Sequence, residues 1–306
     1  MSKILVTGGT GFIGSHIVDR LIEKNFQVIV LDKSVGFRNL WGDSVTTYQI
    51  DLLDPQINDV FTKERPDYII HLAAQISVSC SLADPIRDAN VNILGTITLL
   101  KYAITYGVKK FIFASSAAVY GDPQYLPIDE EHPIQPTSFY GSSKAFAERY
   151  IQLYERLFKL EYCILRFANV YGPRQSPEGE AGVISIFMDQ MISLRSLTIF
   201  GDGNQTRDFI FVKDVSEACV RALFLKKSHI INLGSGSQIS LNYLVKTLRE
   251  QFGEAVIKYK EPRSGDIMHS CLNNERARKL LDWKPKYELH RGLRETYKFL
   301  KMQKGV

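Results

Sequence analysis

Short apolar runs rich in β-branched residues recur through the first half of this chain, each followed by a stretch long enough for an amphipathic helix. The runs are Ile4-Leu5-Val6, Val28-Ile29-Val30-Leu31, Thr47-Tyr48-Gln49-Ile50, Tyr68-Ile69-Ile70-His71, Phe111-Ile112-Phe113 and Cys163-Ile164-Leu165. Helix-period segments fall at about 12–24, 88–106 and 142–158. Strands separated by such crossovers lie parallel, and the right-handedness of each crossover places helices on both faces of the sheet. The expected fold is therefore α/β, a doubly wound parallel sheet.

After residue 171 the alternation loosens. Gly172-Pro173-Arg174, Ser176-Pro177-Glu178-Gly179 and Gly201-Asp202-Gly203-Asn204 signal loops, with helical stretches near 183–194, 215–225 and 241–252. A strand-like Ile230-Ile231-Asn232-Leu233 runs into Gly234-Ser235-Gly236. Residues 1–170 are expected to form one domain, to which 208–233 return. Residues 171–207 and 234–306 are expected to build a smaller α/β lobe over the carboxyl edge of the sheet. No repeat or low-complexity linker separates the two, so one compact unit is expected.

Composition narrows the function classes. Of 306 residues, 45% are hydrophobic and 23% charged, the balance of an ordinary globular protein. The net charge of +5 is spread along the chain, with only short basic pairs such as Lys109-Lys110 and Lys226-Lys227. That excludes nucleic-acid binding as an expectation while leaving small anions welcome. Cys80, Cys163, Cys219 and Cys271 stand singly, as reduced thiols of a cytoplasmic protein do. Met1-Ser2-Lys3 leads straight into a strand, and no apolar run approaches a membrane span. The histidines show no HxH or HxxxH spacing, so no metal is expected; His16 and His71, beside strand ends, are read as packing or hydrogen-bonding residues.

Thr7-Gly8-Gly9-Thr10-Gly11-Phe12-Ile13-Gly14 joins the first strand to the first helix. Glycine at 8, 11 and 14 lets the backbone turn sharply and approach a pyrophosphate, which helix N-terminal amides then stabilise. Asp32, at the end of the second strand, suits the ribose hydroxyls of NAD and repels a 2′-phosphate. Lys33 beside it leaves tolerance of NADP open. Asp51-Leu52 is placed to face an adenine, and Leu72-Ala73-Ala74 offers small side chains where a cofactor passes close to the backbone.

Tyr140 and Lys144 stand four apart, on one face if the segment is helical. An ammonium near a phenol favours the phenolate, turning a weak acid of pKa about 10 into a usable base. Such pairs also occur on solvated helix faces, so the spacing gains its meaning from the nucleotide turn that shares the chain.

Together these residues resemble the extended short-chain dehydrogenase/reductase family. The likeness is to its NAD-dependent epimerase/dehydratase group, in particular nucleotide-sugar epimerases of the UDP-glucose 4-epimerase type. It spans nearly the whole chain. It rests on the glycine turn, Asp32, His71-Leu-Ala-Ala74, Ser115-Ser116-Ala-Ala-Val-Tyr-Gly121, Tyr140-x-x-x-Lys144 and Arg166-Phe-Ala-Asn-Val-Tyr-Gly-Pro-Arg174. Gly201-Asp-Gly, Thr206-Arg-Asp-Phe209 and Pro262-Arg-Ser-Gly-Asp266 continue it.

The resemblance implies a Rossmann fold and a catalytic set of Ser116, Tyr140 and Lys144. Ser116 would hydrogen-bond the reacting sugar oxygen, Tyr140 would remove the proton and Lys144 would hold the nicotinamide ribose. It implies NAD as cofactor, touching Gly8, Gly11, Phe12, Ile13, Gly14, Asp32, Asp51, Leu52, Leu72, Ala73, Ala74, Asn90, Tyr140, Lys144 and Phe167. For a UDP-sugar it implies Ser116, Ala117, Asn169, Val183, Phe200, Arg207, Arg263, Asp266 and Ser270. Asn169, Arg207 and Arg263 match diphosphate positions and Asp266 a uridine ribose position. Two arginines from separate segments are apt donors for a diphosphate. As plain surface ion pairs, Arg207 would instead meet Asp208 or Asp214, and Arg263 would meet Glu261. The family also implies a homodimer formed through the helices at 88–106 and 142–158.

Among related reactions, dehydratases place an Asp-Glu pair where this chain has Ala117-Ala118, and decarboxylating relatives carry a glutamate there. Epimerases of uronic acids tend to have threonine and a second arginine where Asn169 and Ser176 stand, and a buried carboxylate without a cation is costly. The expectation is C4 epimerisation of a UDP-hexose. Ser270, where glucose-restricted relatives carry tyrosine, leaves room for an N-acetyl group. The alternatives are a nucleotide-sugar reductase or dehydratase of the same family, and a dinucleotide-sensing regulator.

Overall fold

The computed structural model describes residues 2–178, 182–262 and 267–305. β1 (Lys3–Thr7) passes through the glycine turn into α1 (Phe12–Glu23) and β2 (Gln27–Asp32). β3 (Thr46–Gln49), α2 (Ile57–Glu64) and β4 (Tyr68–His71) follow. α3 (Val78–Ala83) and α4 (Pro85–Ala89) lead through a π-helical turn, Asn90–Leu94, into α5 (Gly95–Thr105). β5 (Lys110–Ser116), α6 (Phe139–Phe158) and β6 (Glu161–Phe167) complete the first half.

Then come β7 (Asn169–Tyr171), α7 (Val183–Ile192), β8 (Leu197–Phe200), β9 (Thr206–Arg207), β10 (Phe209–Phe211), α8 (Val212–Ala222) and β11 (His229–Leu233). β12 (Ile239–Ser240), α9 (Leu241–Phe252), β13 (Ile257–Lys260), α10 (Glu275–Leu281) and α11 (Leu289–Gln303) end the chain's regular structure.

Seven parallel strands form the main sheet in the order β3-β2-β1-β4-β5-β6-β11. The chain runs outward from β1 to β3, then crosses back to β4. A crevice therefore opens at the carboxyl ends of β1 and β4, where such sheets bind ligands. Strand alternation divides the core between two faces. Ile4, Val6, Val28 and Val30 meet Ile17, Val18 and Leu21 of α1 and Val215, Ala218 and Cys219 of α8. Leu5, Ile29, Ile69 and Phe111 meet α2, α5 and α6 on the other side. Each such aliphatic side chain, removed from water, contributes about 1.5–3 kcal/mol. A further core joins Phe187 and Met188 of α7, Leu244 and Leu248 of α9, Leu293 and Leu300 of α11, and β8. There β8 pairs in parallel with β13.

Several boundaries differ from the sequence expectation for local reasons. α6 begins at Phe139, not 142, because the Ser138 side chain caps it by accepting from the Gly141 amide at 3.0 Å. Tyr140 thus sits in the first helical turn. The segment expected as one helix over 88–106 starts earlier, at a Pro85 whose preceding Asp84 caps it, and widens at the π turn. α8 starts at Val212, directly off β10. His16 lies within α1, with Nε2 2.9 Å from the Pro173 carbonyl oxygen; His71 ends β4 between the Thr7 and Thr96 hydroxyls. Both are hydrogen-bonded packing residues, and burial lowers their pKa to about 4 and about 3.

Candidate active site

The glycine turn fixes the floor of the crevice. Gly8 has φ +70°, a conformation side chains rarely take, and a Cβ there would lie 2.7 Å from the Ala73 amide nitrogen. A Cβ on Gly14 would lie 2.1 Å from the Gly8 carbonyl oxygen, so α1 rests directly on the turn. At Gly11 a Cβ would meet a single atom, the Gly8 oxygen at 3.3 Å. Gly11 also supplies no side-chain cap to α1, which leaves the first-turn amides to an anion. The Asp32 carboxylate is held by the amides of Thr10 and Ser34 and by the Ser34 hydroxyl, all within 3.2 Å.

A cavity of about 290 Å³ runs across these strand ends. Its lining contains every residue expected to touch the cofactor except Asn90. Asn90 opens the π turn, and the next residue, Val91, takes the place at the wall. From β2, which carries Asp32, to β5, which carries Ser116, is three strand spacings, about 14 Å. A trough with a carboxylate at one end, an uncapped helix start along it and a Tyr–Lys pair beyond fits an extended dinucleotide. A larger cleft, about 710 Å³, lies between α1, α8 and residues 282–287. Its charges are largely paired with each other, as in Arg20 and Arg221 on Glu217, and it lies away from the switch point.

Ser116, Tyr140 and Lys144 converge. Ser116 ends β5 and accepts from the Ala118 amide at 3.1 Å, and it stands near enough to Tyr140 to lower the phenol's pKa. Tyr140 is half-buried and lines the trough. The close approach of α6 to the turn after β5 depends on Gly141: a Cβ there would sit 2.5 Å from the Ala118 carbonyl oxygen. Lys144 is buried, with Nζ donating to the Ala114 carbonyl at 3.0 Å and lying 4.8 Å from the Phe113 ring centre.

The electrostatics differ from the sequence expectation. Burial raises the Tyr140 phenol to about 12, against the lowering effect of the Ser116 hydrogen bond. Burial also lowers the Lys144 ammonium to about 8, opposed by the charges of Asp88 and Glu148. The lysine points at a strand carbonyl, so desolvation outweighs its pull on the phenol.

Behind this set lies a buried network that the sequence reading did not anticipate. Glu148, one turn beyond Lys144, accepts from Ser115 and from both Nε and Nη2 of Arg166 at 3.0 and 2.6 Å. Arg166 also donates to the Tyr120 hydroxyl, which donates to Asn232 of β11. The signal was a Tyr–Lys–Glu spacing of four and four on one helix, with an arginine in the next strand.

The expected sugar-side residues fall mainly on the C-terminal segments. Asn169 begins β7, its amide donating to the Asp208 carbonyl. Val183 begins α7 and Phe200 ends β8. Arg207 lies on β9, and Ser270 donates its amide to the carbonyl of neighbouring Thr206 at 3.2 Å, so these two positions are adjacent. Ala117 opens the short turn after β5. The Asp208 carboxylate is occupied by the amides of Ser235, Gly236 and Leu272, and that of Asp214 by those of Lys286 and Tyr287. Arg263 and Asp266 lie outside the described residues.

Comparison with known proteins decides the family. The family model described as the NAD dependent epimerase/dehydratase family matches residues 4–234. A Methanocaldococcus jannaschii protein provisionally named UDP-glucose 4-epimerase is 46% identical over 303 residues, covering 97% of this chain and 98% of that one. The chain belongs to the NAD-dependent epimerase/dehydratase family. Among solved members, the Thermotoga maritima UDP-glucose 4-epimerase with UDP-glucose is 41% identical, with a TM-score of 0.94 over 98% of this chain and 99% of that one. The Methanobrevibacter ruminantium UDP-N-acetylglucosamine 4-epimerase, in complex with UDP-N-acetylmuramic acid, is 34% identical, with a TM-score of 0.94 over 99% of both chains. Membership in this family accounts for the trough and makes NAD its cofactor. Among the described residues no group of three or more His, Cys, Asp or Glu side chains is placed to hold a metal. No described helix is long and apolar enough to cross a membrane.

Proposed function

We propose that this protein interconverts UDP-hexoses by epimerisation at C4. The observation that carries the reading is that Tyr140 and Lys144, one helical turn apart on α6, both line the dinucleotide trough, with Ser116 at the end of β5 beside them. NAD, when bound, supplies a reversible hydride acceptor. Tyr140 takes the proton from the C4 hydroxyl and returns it once the sugar has presented its other face. Ser116 holds the oxygen that alternates between alcohol and ketone. Because burial makes Tyr140 a weak acid, its ionisation depends on a cation close by, and Lys144 is the one supplied by the helix. Asn169, Arg207 and Arg263 are assigned to the diphosphate, Asp266 to the ribose, and Ala117, Val183 and Phe200 to the walls of the sugar site. Ala117 and Ala118 bear no proton-transferring group, which favours epimerisation over dehydration.

The small side chain of Ser270, adjacent in space to the Arg207 strand, supports acceptance of N-acetylated UDP-sugars as well. The 1–170 segment with 208–233 serves as the cofactor domain, and the remaining C-terminal segments serve as the sugar lobe. Phe146, Tyr150, Leu153 and Leu157 form an exposed apolar stripe along α6, at helical spacing. We assign it to a homodimer interface, in a cytoplasmic enzyme.

NMR of the equilibrium mixtures formed from UDP-glucose and UDP-N-acetylglucosamine tests the activity. Conversion without added reductant supports epimerisation, and Tyr140→Phe abolishes it. Undiminished turnover by Tyr140→Phe would refute the assignment. Light scattering of Leu153→Arg tests the dimer, with a monomer as the expected result.

A further inference from the structure

Asp88, on α4, is 1% exposed. Its Oδ1 accepts from Gln75 Nε2 at 2.8 Å and Asn92 Nδ2 at 3.2 Å. Asn92 stands in the π turn. Its Nδ2 also reaches the Gln75 carbonyl and the Ser143 hydroxyl, both at 2.9 Å, and its Oδ1 accepts from the Gln75 amide at 2.8 Å. Ser143 in turn donates to the Tyr140 carbonyl at 3.0 Å. A chain of hydrogen bonds thus runs from a buried carboxylate to the helical turn that carries Tyr140. The widened turn places Asn92 between the two helices.

The charges near this carboxylate explain its use. α6 contributes Tyr140, Lys144 and Glu148. Glu148 is already neutralised by Arg166 on β6, Nη2 to Oε2 at 2.6 Å. β4 contributes His71, which burial keeps neutral. On the carboxylate's own helix Arg87 is exposed, its backbone amide donating to the capping Asp84 carboxylate at 2.9 Å. From α3, the ionisable side chain is Cys80, which is exposed. Of the two buried carboxylates whose charges act on Lys144, Asp88 and Glu148, Glu148 alone is ion-paired among the described residues. Among the described residues the ammonium donates to a neutral carbonyl, which does little to offset desolvation.

We propose that Asp88 is a positioning residue of the Tyr140–Lys144 site: its charge keeps buried Lys144 cationic, and its link through Asn92 and Ser143 holds the first turn of α6. This rests on the catalytic reading above. Its direct consequence is a dependence of the lysine's ionisation on a residue outside the Ser–Tyr–Lys set. Consistent with it, the Asp88 charge raises the Lys144 pKa, and it raises that of the Tyr140 phenol as well.

Asp88→Asn is the informative change, because asparagine keeps an acceptor for Gln75 and Asn92 while removing the charge. In the full chain with its cofactor, the alkaline limb of kcat/KM is expected to move down by about one pH unit. That is about a tenfold loss on the alkaline side, with the rate at pH 6 kept within about twofold. Independently of turnover, the Lys144 resonance in ε-¹³C-lysine-labelled protein, assigned by its loss in Lys144→Met, is expected to titrate about one unit lower. An equal loss at every pH with an unmoved Lys144 resonance overturns the proposal in favour of plain packing. Should the asparagine variant not fold, Asp88→Glu keeps the charge, and its alkaline limb is expected to coincide with that of the parent; a limb displaced by a unit overturns the proposal. The NMR titration separates this outcome from failure of the catalytic reading, which the Tyr140→Phe assay addresses alone.

Discussion

Replacing Gly141 by alanine perturbs the site without removing any reacting group. The new Cβ lies 2.5 Å from the Ala118 carbonyl oxygen, where ordinary contact begins at 3.4 Å. Backbone stands on both sides of the clash, so no side chain can swing away, and the start of α6 must retreat by about 0.9 Å. Tyr140 is the adjacent residue and moves with it, away from Ser116. Misplacement by about 1 Å costs on the order of 100-fold in rate. Overpacking costs about 1–3 kcal/mol of stability, offset by the roughly 0.5–1 kcal/mol by which alanine surpasses glycine in a helix. The expected variant is folded, slightly less stable and about 100-fold slower in kcat, with cofactor retained. Turnover of UDP-glucose followed by NMR, cofactor absorbance and thermal unfolding measure the three quantities. Exposed Arg149→Ala, further along α6, serves as the control. A Gly141→Ala enzyme within threefold of the parent would refute the claim that this backbone contact positions Tyr140.

Asp32→Ala removes the carboxylate at the end of β2 and is expected to weaken NAD binding at least tenfold while improving NADP relative to NAD; equilibrium dialysis with each nucleotide measures both. Glu148→Gln leaves Arg166 buried without its counter-ion and is expected to destabilise the fold by about 3–5 kcal/mol, read by urea unfolding. Acid is expected to weaken the fold through His16 and His71. Their folded pKa values, about 4 and about 3, lie below the unfolded 6.5, so the unfolded chain binds protons first. Their stabilising effect is complete above pH 6.5 and is lost as pH falls towards 4 and 3, about 2 kcal/mol each by pH 5. Equal unfolding free energies at pH 7.5 and 5 would contradict this.

Strand positions, the glycine turn and the second-strand carboxylate were legible because each follows from local rules: apolar runs, a fixed glycine spacing, one acid at a strand end. Asp32, Ala73 and Phe167 all line the trough at the strand ends. Asn90 opens a π turn whose next residue, Val91, lines the trough, and no periodicity marks such a turn beforehand. The raised Tyr140 pKa was missed because a four-residue spacing gives proximity but says nothing of burial or of where an ammonium points. Asp88, Asn92 and Asp208 are ordinary polar residues in the sequence. Only packing of separate segments turns them into buried partners of backbone and helix.

The last strand of the sheet, β11, reaches β6 from some sixty residues downstream, and α8 covers the same face as α1. A ribosome-bound fragment ending near residue 170 would show an unprotected strand edge and a bare greasy helix flank. The nucleotide-binding portion therefore cannot be excised as a working unit at that point. Nascent chains must stay shielded until the downstream segment has been synthesised and has closed the sheet.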